Sequence, residues 1–523
     1  MSSWLSREFL KGFGDVINDV GWLTHAASAK VINTAIGYTR NRPHPWSTFA
    51  PYTSWRGLTD RTFLARHLPP VAPVANLPDS TKVSQLFARP AGTQVLSTKS
   101  TCLFPAFAQY LTDGFIRSDP NVPGKTTSNH EIDLCPLYGR TWQQTEILRS
   151  KSDVPKQRGR LMSQMIDGEE FAPFLYTNDG TEIDKQFTDL DPPLLGHGQP
   201  PSPERLATLF AFGGDRANST PYTAMMNTLL LREHNRIAGE LQKRNETWDN
   251  ERVFQTARNI LIPIFIKIVV QQYINHITPL PFKLLADPSV AWAAGWNRPN
   301  WMTVEFSLLY RWHSLMPDQI AWPAAKQGAA TDPIPLDEFT LDNRPLLNVG
   351  LDAAFSGASA QPAAELGALN TGAALLPIEI NAVEQARRNL IDTYNNYRRA
   401  FSLEPAATFE DITSRPEVAK QLKLLYASPD DVEFYPGLFA EDHVTDSPLP
   451  GLLLRMVAVD AFSQAFTNPL ISEHVFNPAT FTQWGFDLIH DTGSLGDLLS
   501  RNVTKPSGRS IAMTQPGWRA GRT

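Results

Sequence analysis

The sequence predicts a mainly α-helical protein, on three observations. Apolar residues recur at three- and four-residue spacing through 223–244, 251–278, 302–315, 380–402 and 450–467, the period of one buried helix face. Strand-like alternation is scarce. Prolines, 42 in all, gather at 69–78, 191–203 and 279–288 and mark loops between the helical stretches. Phe355 to Leu376 is rich in Ala, Gly and Ser with almost no charge, and predicts a mobile loop or lid without chemistry of its own. No internal repeat is present.

At the N-terminus, Leu5, Phe9, Phe13, Val16, Ile17 and Val20 recur at helical spacing between Trp4 and Trp22, although Gly12 and Gly14 weaken the helix. Two readings fit this stripe: it lies in a membrane interface as a peripheral contact, or it docks on the protein's own body. From Arg40 through Arg42-Pro-His-Pro-Trp46 the chain is punctuated by proline and predicted to be extended.

With 523 residues, 42% of them hydrophobic and 19% charged, the chain can bury a large core, and length alone allows several domains. A net charge of −6 gives no basic footprint, which argues against nucleic acid as a partner. Cys102 and Cys135 are the only cysteines; they can pair with each other but cannot knit a disulfide module. The first residues lack an apolar core followed by a small-residue cleavage site, so a cytoplasmic protein is expected. No run reaches the roughly eighteen apolar residues of a spanning helix.

The chemistry centres on Tyr310-Arg311-Trp312-His313. On a helix, Tyr310 and His313 share one face. An imidazole is a good axial ligand for haem iron, and a phenol beside the macrocycle can lose an electron and a proton to it. Packing at a half-buried helix face is the plainer reading of the same spacing.

The segment Glu305 to Asp318 resembles the proximal-haem segment of cyclooxygenases, and its Tyr-Arg-Trp-His wording resembles the dioxygenase domains of fungal linoleate diol synthases. Leu229-Leu-Leu-Arg-Glu-His-Asn-Arg-Ile-Ala238 is similar to a hallmark of the animal-type haem peroxidase superfamily. Phe254 to Ile262, Ile266 to His276, Phe282-Lys-Leu284, Tyr394 to Arg399 and Val432 to Leu438 follow in cyclooxygenase order. The resemblance runs from about Trp55 to about Leu499. It implies a single large helical haem peroxidase-like domain over 51–505, with haem between central helices. An N-terminal segment, 1–50, precedes it and a tail, 506–523, follows.

The resemblance also implies site residues. His313 would be the iron ligand and Trp312 a haem neighbour. Tyr310 would carry the radical. Asn395, in the Tyr-Asn segment, would orient the proximal imidazole, a role that tunes a metal through its ligand. Phe107-Ala-Gln-Tyr-Leu-Thr-Asp113 is similar to the distal segment, with Gln109 in place but Asp113 where the family has histidine. A distal imidazole relays a proton as a hydroperoxide's O–O bond breaks, whereas an exposed carboxylate with a pKa of about 4 is a poor relay at neutral pH. Burial raises such a pKa and restores part of the function. Gly214-Asp-Arg-Ala-Asn-Ser219 resembles the Gly-Asp-x-Arg segment with the spacing one residue short, which makes Arg216 a candidate for a haem propionate. Thr220 stands where some peroxidases esterify haem, which implies noncovalent haem b. His130, Glu233 and His234 are read as structural.

For substrate, Leu111, Phe115, Ile274, Leu280, Phe306, Leu309 and Ala461 fall at or near channel positions, an apolar set suited to an acyl chain. Arg40 or Arg42 is either a partner for a substrate carboxylate or a solvated arginine. Leu280 and Ala461 replace the family's mouth tyrosine and aspirin-acetylated serine, so prostaglandin synthesis is not implied. The expectation is a haem-dependent dioxygenase that adds O2 to an unsaturated fatty acid or similar lipophilic substrate. The alternatives are a haem-binding protein with little turnover, serving lipid binding or interaction, and a weak haem peroxidase.

Overall fold

The computed structural model describes residues 17–37 and 54–518, apart from 120, 123, 155–156, 195–200, 298 and 324–332, together with Gly14 and Tyr52. Most of the N-terminal apolar stripe, and both Arg40 and Arg42, lie outside the described residues. The helices that build the site are, in chain order, α1 (Gly21–Ile36), α2 (Leu103–Asp113), α3 (Pro221–Arg244), α4 (Asn250–Ile268), α5 (Phe306–Leu309), α6 (Arg344–Ala360), α7 (Leu376–Arg388), α8 (Tyr394–Ala400), α9 (Phe434–Ala440) and α10 (Gly451–Phe466). Among the described residues, strands form only two-stranded pairs. One of these joins β1 (Leu96–Thr101) to β2 (Pro362–Ala364), antiparallel. One apolar core runs from α1 to Met513.

Helix α3 is the central rod. Thr220 caps its N-terminus reciprocally with Thr223, and Pro221 takes the first position, where its missing N–H costs nothing. Every residue from Pro221 to Asn235 is buried, as expected of a helix surrounded on all sides. Its neighbour α4 starts at Asp249, whose carboxylate accepts from the Arg252 N–H. Pro263 sits inside α4, and beyond it the chain widens into a π-helical stretch, Val269–Ile274, before a last α turn at Asn275–Ile277. Wide turns of this kind recur at functional sites, and this one carries Tyr273 and Ile274. The run Asn250–Ile277 is apolar and long enough to cross a bilayer, but 72% of its most apolar stretch is buried in the protein.

Three expectations are corrected. Residues 302–315 are not one helix: α5 ends at Leu309, Tyr310 and Trp312 leave helical geometry, and His313 opens a short 3-10 turn to Leu315. The side chains explain the break. Arg311 Nε donates to the Ser307 carbonyl at 2.9 Å and Trp312 Nε1 to the Leu309 carbonyl at 2.6 Å, taking acceptors that a continuing helix would use. The stretch 380–402 is likewise two helices, α7 and α8. Leu390, at φ 54°, lies between them, and its carbonyl is claimed by Arg66 Nη2 and the Val71 N–H. Phe355 to Leu376 is no loose lid: it continues α6, forms β2 and packs inward, with Phe355, Ala358, Ala363 and Ala364 all buried. Small side chains let these backbones approach closely; they do not signal mobility here.

Cys102 and Cys135 are both buried free thiols, so the pairing left open by the sequence does not form. The region read as a C-terminal tail packs on β1: the Thr101 N–H donates to the Met513 carbonyl and the Gln515 N–H to that of Lys99.

Candidate active site

His313, freed from a regular helix, directs Nδ1 to Oε1 of Glu379 at 3.1 Å. Glu379 belongs to α7, lies among buried Ala382, Val383 and Ala386, and is 1% exposed. Its carboxylate also accepts from the Thr371 hydroxyl at 3.0 Å and from the Tyr435 hydroxyl. With Nδ1–H donated to a carboxylate, the lone pair of the imidazole resides on Nε2, the form in which histidine binds metals. Ser314, the next residue, anchors the turn by accepting from the Gly367 N–H just beyond β2.

Helix α2 carries Gln109 and Asp113 one turn apart. Gln109 donates to the Ser219 hydroxyl at 2.7 Å. Asp113 is buried, its Oδ2 has no partner, and Arg216 Nη1 stands 4.0 Å from Oδ1. Burial raises the Asp113 pKa from 3.8 to about 7, and Arg216 opposes the rise only in part. Arg216 itself donates to the Ile116 carbonyl at 2.6 Å. Arg311 has its pKa lowered to about 10, first by burial and then by Arg216, while Tyr435, Glu379 and Asp113 act in the opposite direction. One guanidinium thus senses both the Glu379 end and the Asp113 end of the region. An imidazole with a committed Nδ1, a buried carboxyl with one oxygen unpartnered and two arginines suited to propionates make a donor set that fits haem.

Tyr310 sits 8% exposed in an aromatic box, stacked on Trp312 with centroids 4.9 Å apart and tilted against Phe306 at 4.5 Å. Its hydroxyl makes no well-formed hydrogen bond. The Tyr273 hydroxyl lies beside it and is equally buried without a well-formed bond, and each perturbs the ionisation of the other. Burial first, then Asp460, drives the Tyr310 pKa well above that of a free phenol. Trp312 also packs on Phe104, and its N–H is spent on Leu309.

One candidate lands elsewhere than expected, and the residues read as structural are held by protein partners. Asn395 does not meet His313. Its amide closes on the Ala406 backbone through both atoms, at 3.0 and 2.9 Å, and donates to Asp430, so it braces the end of α8. Glu379 occupies the place expected for it. His130 is held between the Arg61 carbonyl and the Met302 N–H, and burial lowers its pKa to about 4. Glu233 pairs with Arg236 and Arg501, while His234 bridges the Tyr138 hydroxyl and the Gly159 carbonyl. Thr220 is the cap of α3.

Of the apolar set, Leu111, Phe115, Ile274, Phe306, Leu309 and Ala461 are buried and Leu280 half-buried. Phe115 meets Phe306 edge-on at 5.7 Å, which links α2 to the Tyr310 box. Leu111 and Phe115 also border a crevice of about 10 Å³, barely room for one water, against Tyr110 and Phe265. Beside Ala461 on α10, Asp460 accepts from His67 at 3.0 Å, a buried pair that the sequence did not single out. The missed signal for Glu379 was an acidic residue within an apolar stripe at helical spacing. For Tyr273 it was a phenol at three- and four-residue spacing from Val269, Val270 and Ile277.

The sequence pattern of the animal haem peroxidase family matches residues 115–513. Prostaglandin G/H synthase 2 of Gallus gallus is 31% identical over 519 residues, covering 94% of this chain and 79% of that protein. Prostaglandin G/H synthase 1 of Mus musculus is 29% identical over 482 residues, covering 88% and 74%. Among solved structures, peroxidase A from Dictyostelium discoideum aligns with a TM-score of 0.72 at 20% identity, covering 87% of this chain and 95% of that one. The Oryza sativa fatty acid alpha-dioxygenase aligns with a TM-score of 0.68 at 16% identity, covering 87% and 84%. These two likenesses speak to the fold. The match over most of the chain, together with the 31% relative, establishes that the protein belongs to the animal haem peroxidase family.

Proposed function

We propose that the protein is a haem-dependent dioxygenase that converts an unsaturated fatty acid and O2 into a hydroperoxide, with Tyr310 as the hydrogen-abstracting group. The observation that carries this reading is the Tyr310 hydroxyl: buried, enclosed by aromatic rings and without a well-formed hydrogen bond. The names of the relatives, prostaglandin synthases and a fatty acid alpha-dioxygenase, support the substrate class.

His313 would hold noncovalent haem b through Nε2, since Thr220 offers no carboxylate for an ester link and Glu379 already holds Nδ1. Arg216 and Arg311 would meet the propionates. When bound, the haem supplies a one-electron oxidant. Tyr310 gives up an electron and its proton and becomes a phenoxyl radical. It then takes a hydrogen atom from an activated C–H bond of the lipid, and O2 adds to the carbon radical. The peroxyl recovers the hydrogen atom from the Tyr310 hydroxyl, so the net change is insertion of O2 into C–H. Burial serves this chemistry by keeping water and small reductants away from both radicals.

Tyr310→Phe deletes one oxygen and keeps the ring, so haem loading should persist while O2 uptake with a panel of unsaturated fatty acids is lost. Full O2 uptake by the haem-replete variant would overturn the mechanism. His313→Ala should purify with little haem or an altered Soret band. Unchanged haem content and spectrum would move the ligand elsewhere.

A further inference from the structure

We propose that Glu379 is the positioning residue for the axial histidine, supplying a negative acceptor on Nδ1 that makes His313 a stronger, more electron-rich ligand. The inference rests on the reading of His313 as the iron ligand and extends it to the residue behind it. Three donors converge on one carboxylate: His313 Nδ1–H and the Thr371 hydroxyl on Oε1, at 3.1 and 3.0 Å, and the Tyr435 hydroxyl on Oε2. Both oxygens are engaged, so the group cannot turn away from the imidazole. At 1% exposure a carboxylate is costly to bury unless such partners compensate it. Nothing in the packing of α7 demands an acid there, because its buried neighbours Ala382, Val383 and Ala386 are apolar.

A neutral amide at this position would also accept from Nδ1 and fix the tautomer. The charge adds something further. A carboxylate draws the Nδ1 proton toward itself and raises electron density on Nε2, which favours the more oxidised state of a bound metal. A purely structural alternative is that Glu379 only ties α7 to Thr371 and Tyr435 of α9; it predicts lost stability with no electronic effect.

Glu379→Gln, which preserves shape and an acceptor but removes charge, separates the two. Haem-loaded variant protein should show a reduction midpoint shifted to more positive potential and a lower iron–imidazole stretching frequency in the ferrous state by resonance Raman. Glu379→Ala should also retain haem about tenfold less well or worse, a typical loss when the partner behind a metal ligand is removed. Tyr435→Phe keeps the charge and removes one compensating donor, so it should move the midpoint the opposite way. If Glu379→Gln does not fold, Tyr435→Phe decides the matter alone. An unchanged midpoint and stretching frequency in a haem-replete variant would overturn the inference. If His313→Ala meanwhile loses haem, only the role of Glu379 falls; if His313→Ala keeps it, the ligand assignment itself fails.

Discussion

A phenol gives up an electron more readily when a neighbour can support its hydroxyl, and Tyr310 has only Tyr273 in that position. Tyr273→Phe should therefore slow oxygenation without abolishing it. No well-formed hydrogen bond joins the two hydroxyls, so the loss should not exceed about tenfold, near the upper end for one neutral hydrogen bond of about 0.5–1.5 kcal/mol. A loss as complete as that of Tyr310→Phe would mean that Tyr273 itself handles the radical. Asp113 is the other buried ionisable group with a chemical role to test. Its folded pKa, raised to about 7, means that the proton-accepting carboxylate is scarce below neutrality and complete above it. The rate of reaction of haem-loaded protein with hydrogen peroxide should rise through a pH near 7, and Asp113→Asn should erase that limb in stopped-flow spectra. Wild-type protein with a flat pH profile, or an Asp113→Asn variant that keeps the limb at normal haem loading, would remove Asp113 from the distal role.

At the scale of elements, backbone placement decides what the site can hold. Helix α6 is kinked at Gly350, with φ 76° and ψ 176°, a conformation essentially reserved for glycine. A Cβ there would collide with Glu169 Oε1, and Glu169 is the carboxylate that pairs with Arg232 of α3. Gly350→Ala should cost about 1–3 kcal/mol for the backbone alone, and more for the displaced ion pair. Gly92, at φ 74° with nothing within 4 Å, is the control that carries backbone strain alone. Urea midpoints that fall equally for Gly350→Ala and Gly92→Ala would show that the Glu169 contact is immaterial. The long elements α3, α4 and α10 were legible in the sequence because unbroken apolar periodicity is set by burial along their whole length. The breaks at Tyr310 and Leu390 were not. They depend on side chains and distant carbonyl partners competing for helix hydrogen bonds, which periodicity does not encode. The same limit explains Asn395 and Glu379: order along the chain pointed to the Tyr-Asn segment, while the carboxylate that meets His313 comes from 66 residues beyond it, on a helix that the periodicity started four residues too late, at 380 rather than Leu376.

At the scale of the whole molecule, the buried ionisable groups divide into two sets with opposite demands on pH. His130 and His234, with pKa values lowered to about 4 and about 3, and His276, lowered further, stay neutral in the fold. The unfolded chain binds protons at these positions below about 6.5, so they withdraw stability as pH falls through that value. Asp113 and Glu131, each raised to about 7, do the reverse. The fold keeps their protons while the unfolded chain releases them above about 4, so they withdraw stability as pH rises from about 4 to about 7. Each uncompensated proton is worth about 1.4 kcal/mol per pH unit. Between about pH 4.5 and 6.5 the buried histidines, His443 among them, oppose the buried carboxyls, Asp133 and Glu441 among them, and the two sets should largely cancel. Below about pH 4 the raised carboxyls are protonated in both states and no longer offset His234 and His276, which stay neutral in the fold. Asp60, whose pKa is lowered to about 2 by Thr62 and Lys125, then adds its own loss, so stability should fall steeply. Urea midpoints at fixed haem concentration should accordingly change little from pH 6.5 to 4.5 and drop sharply beneath. The double variant Asp113→Asn, Glu131→Gln removes two of the opposing carboxyls, so its slope between pH 4.5 and 6.5 should steepen by about two protons. A double variant with the wild-type slope would show that these carboxyls are not held protonated by burial, and would remove the physical basis for a distal acid at Asp113.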